Sequence, residues 1–188
     1  MPEMRLFVAI PIREEIKQKL VNLQNELKSE LAGVRWASPM TFHLTLKFIG
    51  EVELNLVKPI CERVEKVAKK LEPQTLIIKS LGRFGSKNRT RVLWTDVEGD
   101  IYPIAQIVKE LNAELEYFGI VPEKKAYRPH ITLGRVKKNI DEQLLNELIE
   151  KYANREIGYI DVDSVVVFQS ELKPEGAQHH PIKTIELD

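Results

Sequence analysis

The sequence predicts an α+β fold of two pseudo-symmetric lobes, each running strand, helix, strand, helix, strand. Antiparallel sheets from the two lobes face a central cleft, with one H-x-T motif per lobe. Three observations predict it. Apolar residues switch along the chain between alternation and three-to-four spacing. The order of these segments recurs in the second half. The spacing is also kept: Arg5 to His43 is 38 positions and Arg91 to His130 is 39. The repeats cover residues 4–81 and 90–188 within one bilobal domain, 1–188, whose strands can swap between lobes. Two copies of so long a period exclude a solenoid.

Arg5 to Ile10 is β-branched and aromatic enough for a strand. Residues 14–31 carry Ile16, Leu20, Leu23, Leu27 and Leu31 on one helical face, and Gly33 ends the helix. Thr41 to Ile49 alternates as a strand. Residues 55–71 predict a second helix with Ile60, Val64, Val67 and Leu71 inward and Pro59 in its first turn. Thr75 to Ser80 is the third strand. The second half repeats this order. Arg91 to Val97 is a strand, and residues 102–118 form a helix opened by Pro103 and closed by Gly119. His130 to Val136 is a strand, and Asp141 begins a helix through Leu144, Leu145, Leu148 and Ile149. Ile160 to Phe168 and Thr184 to Leu187 close the chain as strands.

Composition narrows the function. The 188 residues are 43% hydrophobic, which is too apolar for disorder. No apolar run approaches the roughly 18 residues of a membrane helix. A single cysteine, Cys61, excludes an internal disulfide or a Cys-rich zinc site. These features predict a soluble, cytoplasmic protein, expected to be a monomer. Lys plus Arg equals Asp plus Glu at 28 each, so the net charge is zero. An extended nucleic-acid track normally carries a basic surplus, so a phosphate ligand would be held in a local pocket.

The histidine strands carry the chemistry. Side chains alternate along a strand, which places His43 with Thr45 on one face and Leu44 with Leu46 on the other. His130 and Thr132 are sorted the same way from Ile131 and Leu133. Each lobe thus offers an imidazole and a hydroxyl about 7 Å apart on a wet face. Two imidazoles with reference pKa near 6.5 supply a base on one side of a phosphodiester and an acid on the other. Threonine hydroxyls can donate to the non-bridging oxygens. A lone H-x-T would be an ordinary strand feature; its recurrence at the matching place of the other lobe is not explained by packing.

A metal fits these residues less well, because no acidic residue shares the histidine faces of the two strands. His179 and His180 point to opposite sides of an extended segment and read as a solvated turn before Pro181.

These residues resemble the 2H phosphoesterase superfamily, and within it the RNA 2′,3′-cyclic phosphodiesterase branch, also called 2′-5′ RNA ligase. The resemblance spans most of the chain: M-R-L-F-V-A-I at the start, H-L-T-L-K-F-I-G-E at 43–51, G-R-F-G at 82–85, R-V-L-W at 91–94, R-P-H-I-T-L-G-R at 128–135 and S-E-L-K-P-E-G-A at 170–177. It implies hydrolysis of 2′,3′-cyclic phosphate RNA ends to 2′-phosphates without a metal or other cofactor. By motif position, His43 is the general acid on the departing 3′ oxygen and His130 the general base on water, with the symmetry leaving the reverse order open. Thr45, Thr132 and Arg135 are implied phosphate-binding residues. Phe48, the counterpart of Arg135 five places after His43, is placed to stack on a base. Strict parity would turn Arg135 away from His130 unless Gly134 supplies a bulge. One departure stands out. After Gly176-Ala177 the family tends to have a basic residue and an aromatic, where this chain has Gln178-His179-His180.

The expected partners are RNA 3′ ends carrying a cyclic phosphate, including tRNA halves, or small nucleotides. Arg83, Lys87, Arg89 and Arg91, and again Lys124, Lys125 and Arg128, are candidate linings of an RNA path or solvated loops. Two other readings compete: 2′-5′ ligation of tRNA halves, and a nucleotide-binding module without catalysis.

Overall fold

The structure is a computed structural model describing residues 2–86 and 88–188; Lys87 of the first basic group lies outside them. The first half runs β1 (Glu3–Pro11), α1 (Glu14–Glu30), β2 (Val34–Trp36), β3 (His43–Glu53), α2 (Leu54–Ala68) and β4 (Gln74–Ser86). The second runs β5 (Arg89–Glu98), α3 (Tyr102–Glu116), β6 (His130–Val136), α4 (Glu142–Lys151), β7 (Glu156–Val162), β8 (Ser164–Lys173) and β9 (Gly176–Glu186).

The strands form two antiparallel sheets, one in the order β3-β1-β8-β9 and the other β2-β6-β5-β4-β7. Strands therefore cross between the halves. β4 pairs with β5, and β8 pairs with β1. Helix α2 packs on β1, β3, β8 and β9, and α3 on β3 and α2, while α1 lies on β7 and α4 on β4. The helices cover the outer faces because each sheet turns one row of apolar side chains outward. Leu6, Val8, Ile10, Leu44 and Leu46 form that row in the first sheet, and Leu76, Ile78, Leu93, Ile131 and Leu133 in the second. All are at most 3% exposed. Burying such a side chain stabilises the fold by roughly 1.5–3 kcal/mol.

Several boundaries differ from those the sequence predicts. The run Ile160 to Phe168 is two strands, because the chain leaves one sheet at Asp163 and enters the other at Ser164. Arg13 holds the Asp163 carboxylate at 2.7 Å, and the Asp163 carbonyl accepts from the Leu187 amide at 2.9 Å. The final strand is longer than Thr184 to Leu187, and it contains His179 and His180. They are strand residues paired with β8, not a solvated turn. Pro59 sits in the second turn of α2, which begins at Leu54. The amide it lacks would have served the carbonyl of exposed Asn55, which water can satisfy.

Candidate active site

The inner face of the first sheet is aromatic. His43, Thr45 and Phe48 of β3 lie opposite Pro11, Ala9 and Phe7 of β1, and Phe168 of β8 faces Phe7 on its other side. The Phe7 ring is 4.7 Å from the His43 ring and stacks on Phe168 at 5.2 Å. In the second sheet, His130 and Thr132 lie opposite Asp96 and Trp94 of β5. The His130 ring stands edge-on to Phe84 of β4 at 4.8 Å and lies 6.0 Å from Trp94. Each imidazole thus rests on an aromatic floor completed by a strand from the other half.

His130 Nδ1 lies 2.7 Å from the carbonyl of Arg128, two residues earlier. The backbone of Thr41, also two residues earlier in the chain, acts on the His43 ring to raise its pKa. A ring nitrogen tied to a carbonyl fixes the tautomer and leaves the other nitrogen for chemistry. Tyr127 adds a bond from its hydroxyl to the carbonyl of Thr45, 3.0 Å, beside the site.

Matching bulges set the residues beyond the motifs. In the β1–β3 ladder Val8 faces Lys47 and Ala9 faces Thr45, so Leu46 is an extra residue. In the β5–β6 ladder Leu93 faces Gly134 and Trp94 faces Thr132, so Leu133 is the extra one. An extra residue reverses the faces beyond it. Phe48 therefore lies opposite Phe7, its ring 6.0 Å away and 55% exposed, and Arg135 lies on the side of His130. The bulge precedes Gly134, whose own requirement is different. A Cβ there would fall 2.7 Å from Val34 Cγ1 and 3.0 Å from the Arg35 carbonyl, so glycine lets β2 approach. Beyond the first bulge Lys47 is turned to the buried side, where its ammonium donates to the carbonyl of Val121 at 2.9 Å.

Burial sets the titration of the site. It pushes His43 down to about 4, with the His179 and His130 rings adding to it and the Thr41 backbone opposing it. Burial also lowers His130, opposed by its bond to the Arg128 carbonyl and by Asp96. Burial raises the Asp96 carboxyl, against the attraction of Arg128. Only His130, of the two motif histidines, has a carboxylate among its neighbours.

The structure brings in residues that strand parity did not select. His179 of β9 reaches both Phe7, at 4.7 Å, and His43, at 5.1 Å. Its place on the inner face depends on pairing with Ser170, which the single strand does not reveal. Arg35 of β2 stands directly opposite Arg135. Trp94 and Phe84 fall within the R-V-L-W and G-R-F-G segments, so the sequence did carry a signal for them. Of the basic groups, Arg83 is held by Glu142 at 2.8 Å and Arg128 lies over Trp94 at 4.5 Å, while Arg89, Arg91, Lys124 and Lys125 are exposed. Among the described residues no three His, Cys, Asp or Glu side chains are grouped as metal ligands.

Two related half-chains, each offering an H-x-T strand to a shared cleft, define a 2H phosphoesterase. The chain belongs to the LigT like Phosphoesterase family, whose model matches residues 10–94 and 100–177. It is 31% identical over 180 residues to the RNA 2′,3′-cyclic phosphodiesterase of Methanocaldococcus jannaschii, covering 96% of this chain and 99% of that protein. It is also 31% identical to the protein of the same name from Methanothermobacter thermautotrophicus, covering 98% and 100%. Among solved structures it is similar to TT0787 of Thermus thermophilus, with a TM-score of 0.81 at 24% identity over 97% of both chains. E. coli LigT complexed with 3′-AMP superposes at 0.76 with 21% identity, covering 99% of both chains. No helix among the described residues is long and apolar enough to cross a membrane.

Proposed function

We propose that this chain hydrolyses the 2′,3′-cyclic phosphate at RNA 3′ ends to a 2′-phosphate, with residues 1–188 as one catalytic unit. The observation that carries the reading is the pair of imidazoles, each seated on an aromatic floor in one of two facing sheets. The curated relatives named for this activity, matched over nearly the whole chain, support the substrate.

In the proposed step a water attacks phosphorus and gives a proton to His130. The bond from phosphorus to the 3′ oxygen breaks, and His43 protonates that oxygen. Thr45 and Thr132 donate to the non-bridging oxygens, Arg135 adds charge, and Phe48 stacks on the terminal base. His43 must be protonated to serve as the acid. Burial opposes this in the free cleft, whereas an anionic phosphate beside the ring favours it. Two imidazoles suffice for this proton balance, so no metal is invoked.

The carboxylate of Asp96 near His130 favours a second order, with His130 as the acid and His43 as the base. A leaving group that needs no proton separates the two. On bis-p-nitrophenyl phosphate, removing the acid costs little and removing the base costs much.

The deciding experiment is incubation with a short RNA ending in a 2′,3′-cyclic phosphate, in EDTA, with the end group identified by mass and phosphatase sensitivity. A 2′-phosphate is expected. A 3′-phosphate would reverse the regiochemistry, and an unaltered cyclic end would overturn the reading.

A further inference from the structure

His179 has no part in the step above, yet its ring belongs to the same basin. β3 and β9 are the two edges of the first sheet, and their histidines lean toward one another over the strands between. The His179 ring stands edge-on to His43 at 5.1 Å and to Phe7 at 4.7 Å, and lies 6.4 Å from Phe168. Among the described residues neither of its nitrogens has a hydrogen-bond partner. Neither nitrogen is among the buried atoms left without a partner, so both stay open to water or to a ligand entering the basin.

The rings it meets directly, Phe7, His43 and Phe168, carry no negative charge. β1 contributes Phe7 and, two residues along, Arg5, which stands directly opposite the exposed Glu51 of β3. β8 contributes Phe168 and, directly opposite, Ser170. β3 contributes His43, and β6 contributes His130 farther across the cleft. His180 faces the other way, where it meets Glu171 at 3.6 Å, and Lys173 meets the same carboxylate at 3.3 Å. The nearest carboxylate of the hairpin is therefore engaged on the opposite face. Arg35 lies near the hairpin's tip at Gly176.

We propose that His179 is a third phosphate-contacting imidazole of this site, donating a hydrogen bond to the phosphate of the RNA end and carrying a proton while that phosphate is bound. This rests on the phosphodiesterase reading above and adds a residue to it. Without ligand, burial and the neighbouring His180 hold the ring neutral. A bound phosphate monoester reverses that balance, so binding takes up a proton.

The test is calorimetric titration with adenosine 2′-monophosphate near pH 7 in two buffers of different ionisation heat, which counts protons taken up. Wild type is expected to take up more than His179→Phe, by up to about one proton. The variant, which keeps the ring contact with Phe7, should bind about ten- to a hundredfold more weakly. His179→Gln retains a donor without the charge, so it should recover part of the affinity and none of the extra proton. It also serves in place of the phenylalanine variant should that fail to fold. Equal proton counts and affinities in wild type and variants would overturn the role of His179, even where wild type hydrolyses cyclic ends. A wild type that neither binds the nucleotide nor hydrolyses a cyclic end would overturn the site reading, and this proposal with it.

Discussion

Phe84 stands edge-on to His130 at 4.8 Å, yet the two residues come from opposite halves of the chain. Phe84 is on β4, which crosses to pair with β5, while Phe168 on β8 crosses the other way to stack on Phe7 beneath His43. Neither half completes its own histidine's surroundings. Replacing Phe84 by Ala should lower stability by about 1–3 kcal/mol, since the ring is only partly buried, and should slow turnover by loosening His130. Urea unfolding together with single-turnover hydrolysis measures both. Unchanged turnover would show that His130 is held by its Arg128 bond alone.

His43→Ala and His130→Ala should each cost about 10²–10⁴ in rate, the range for a positioned proton donor or acceptor. Both variants should keep the wild-type circular dichroism spectrum, because both rings face the cleft. On bis-p-nitrophenyl phosphate His43→Ala should recover most of its loss and His130→Ala should not. The reverse pattern would exchange the two roles.

Thr45→Val and Thr132→Val remove one donor each and should cost on the order of 1–3 kcal/mol of transition-state stabilisation. The kcat/KM of each variant on a cyclic-ended RNA reads this out. No measurable change would mean that the hydroxyls do not meet the phosphate.

The free protein should lose stability as pH falls from about 6.5 to about 4. His43 is held at about 4 in the fold against 6.5 unfolded, so in that window the unfolded chain binds the proton and the native ring does not. Above the unfolded value the contribution is fully present. The burial-lowered His130 and His179 act in the same direction. His43→Gln should flatten the fall in melting temperature across that window, and an unchanged slope would contradict the buried neutral ring.

Gly82 lies under the Trp94 indole, and a Cβ there would fall 2.2 to 2.5 Å from three atoms of that ring. Gly82→Ala must displace the indole, which also carries Arg128 above it and borders His130. A stability loss of about 1–3 kcal/mol is expected, together with a shift in tryptophan fluorescence; Trp36 is the other emitter. An unchanged spectrum would show that the backbone, and not the ring, yields.

The α+β class, the helix faces and the two H-x-T strands are legible in the chain alone, because each follows from the period of side chains along a single segment. His43 with Thr45, and His130 with Thr132, needed only alternation. A single segment does not hold the identity of its neighbour, and the remaining features depend on which strand lies beside which. The exchange of β4 and β8 between lobes is a choice of pairing partner. So is the break at Asp163, where an unbroken β-branched run leaves one sheet for the other. The bulges at Leu46 and Leu133 exist only as a mismatch with the facing strand, and that mismatch turns Phe48 and Arg135 to the cleft and Lys47 away from it. His179 reaches His43 because two opposite edges of one sheet converge over Phe7, a proximity set by the sheet's shape and not by sequence spacing.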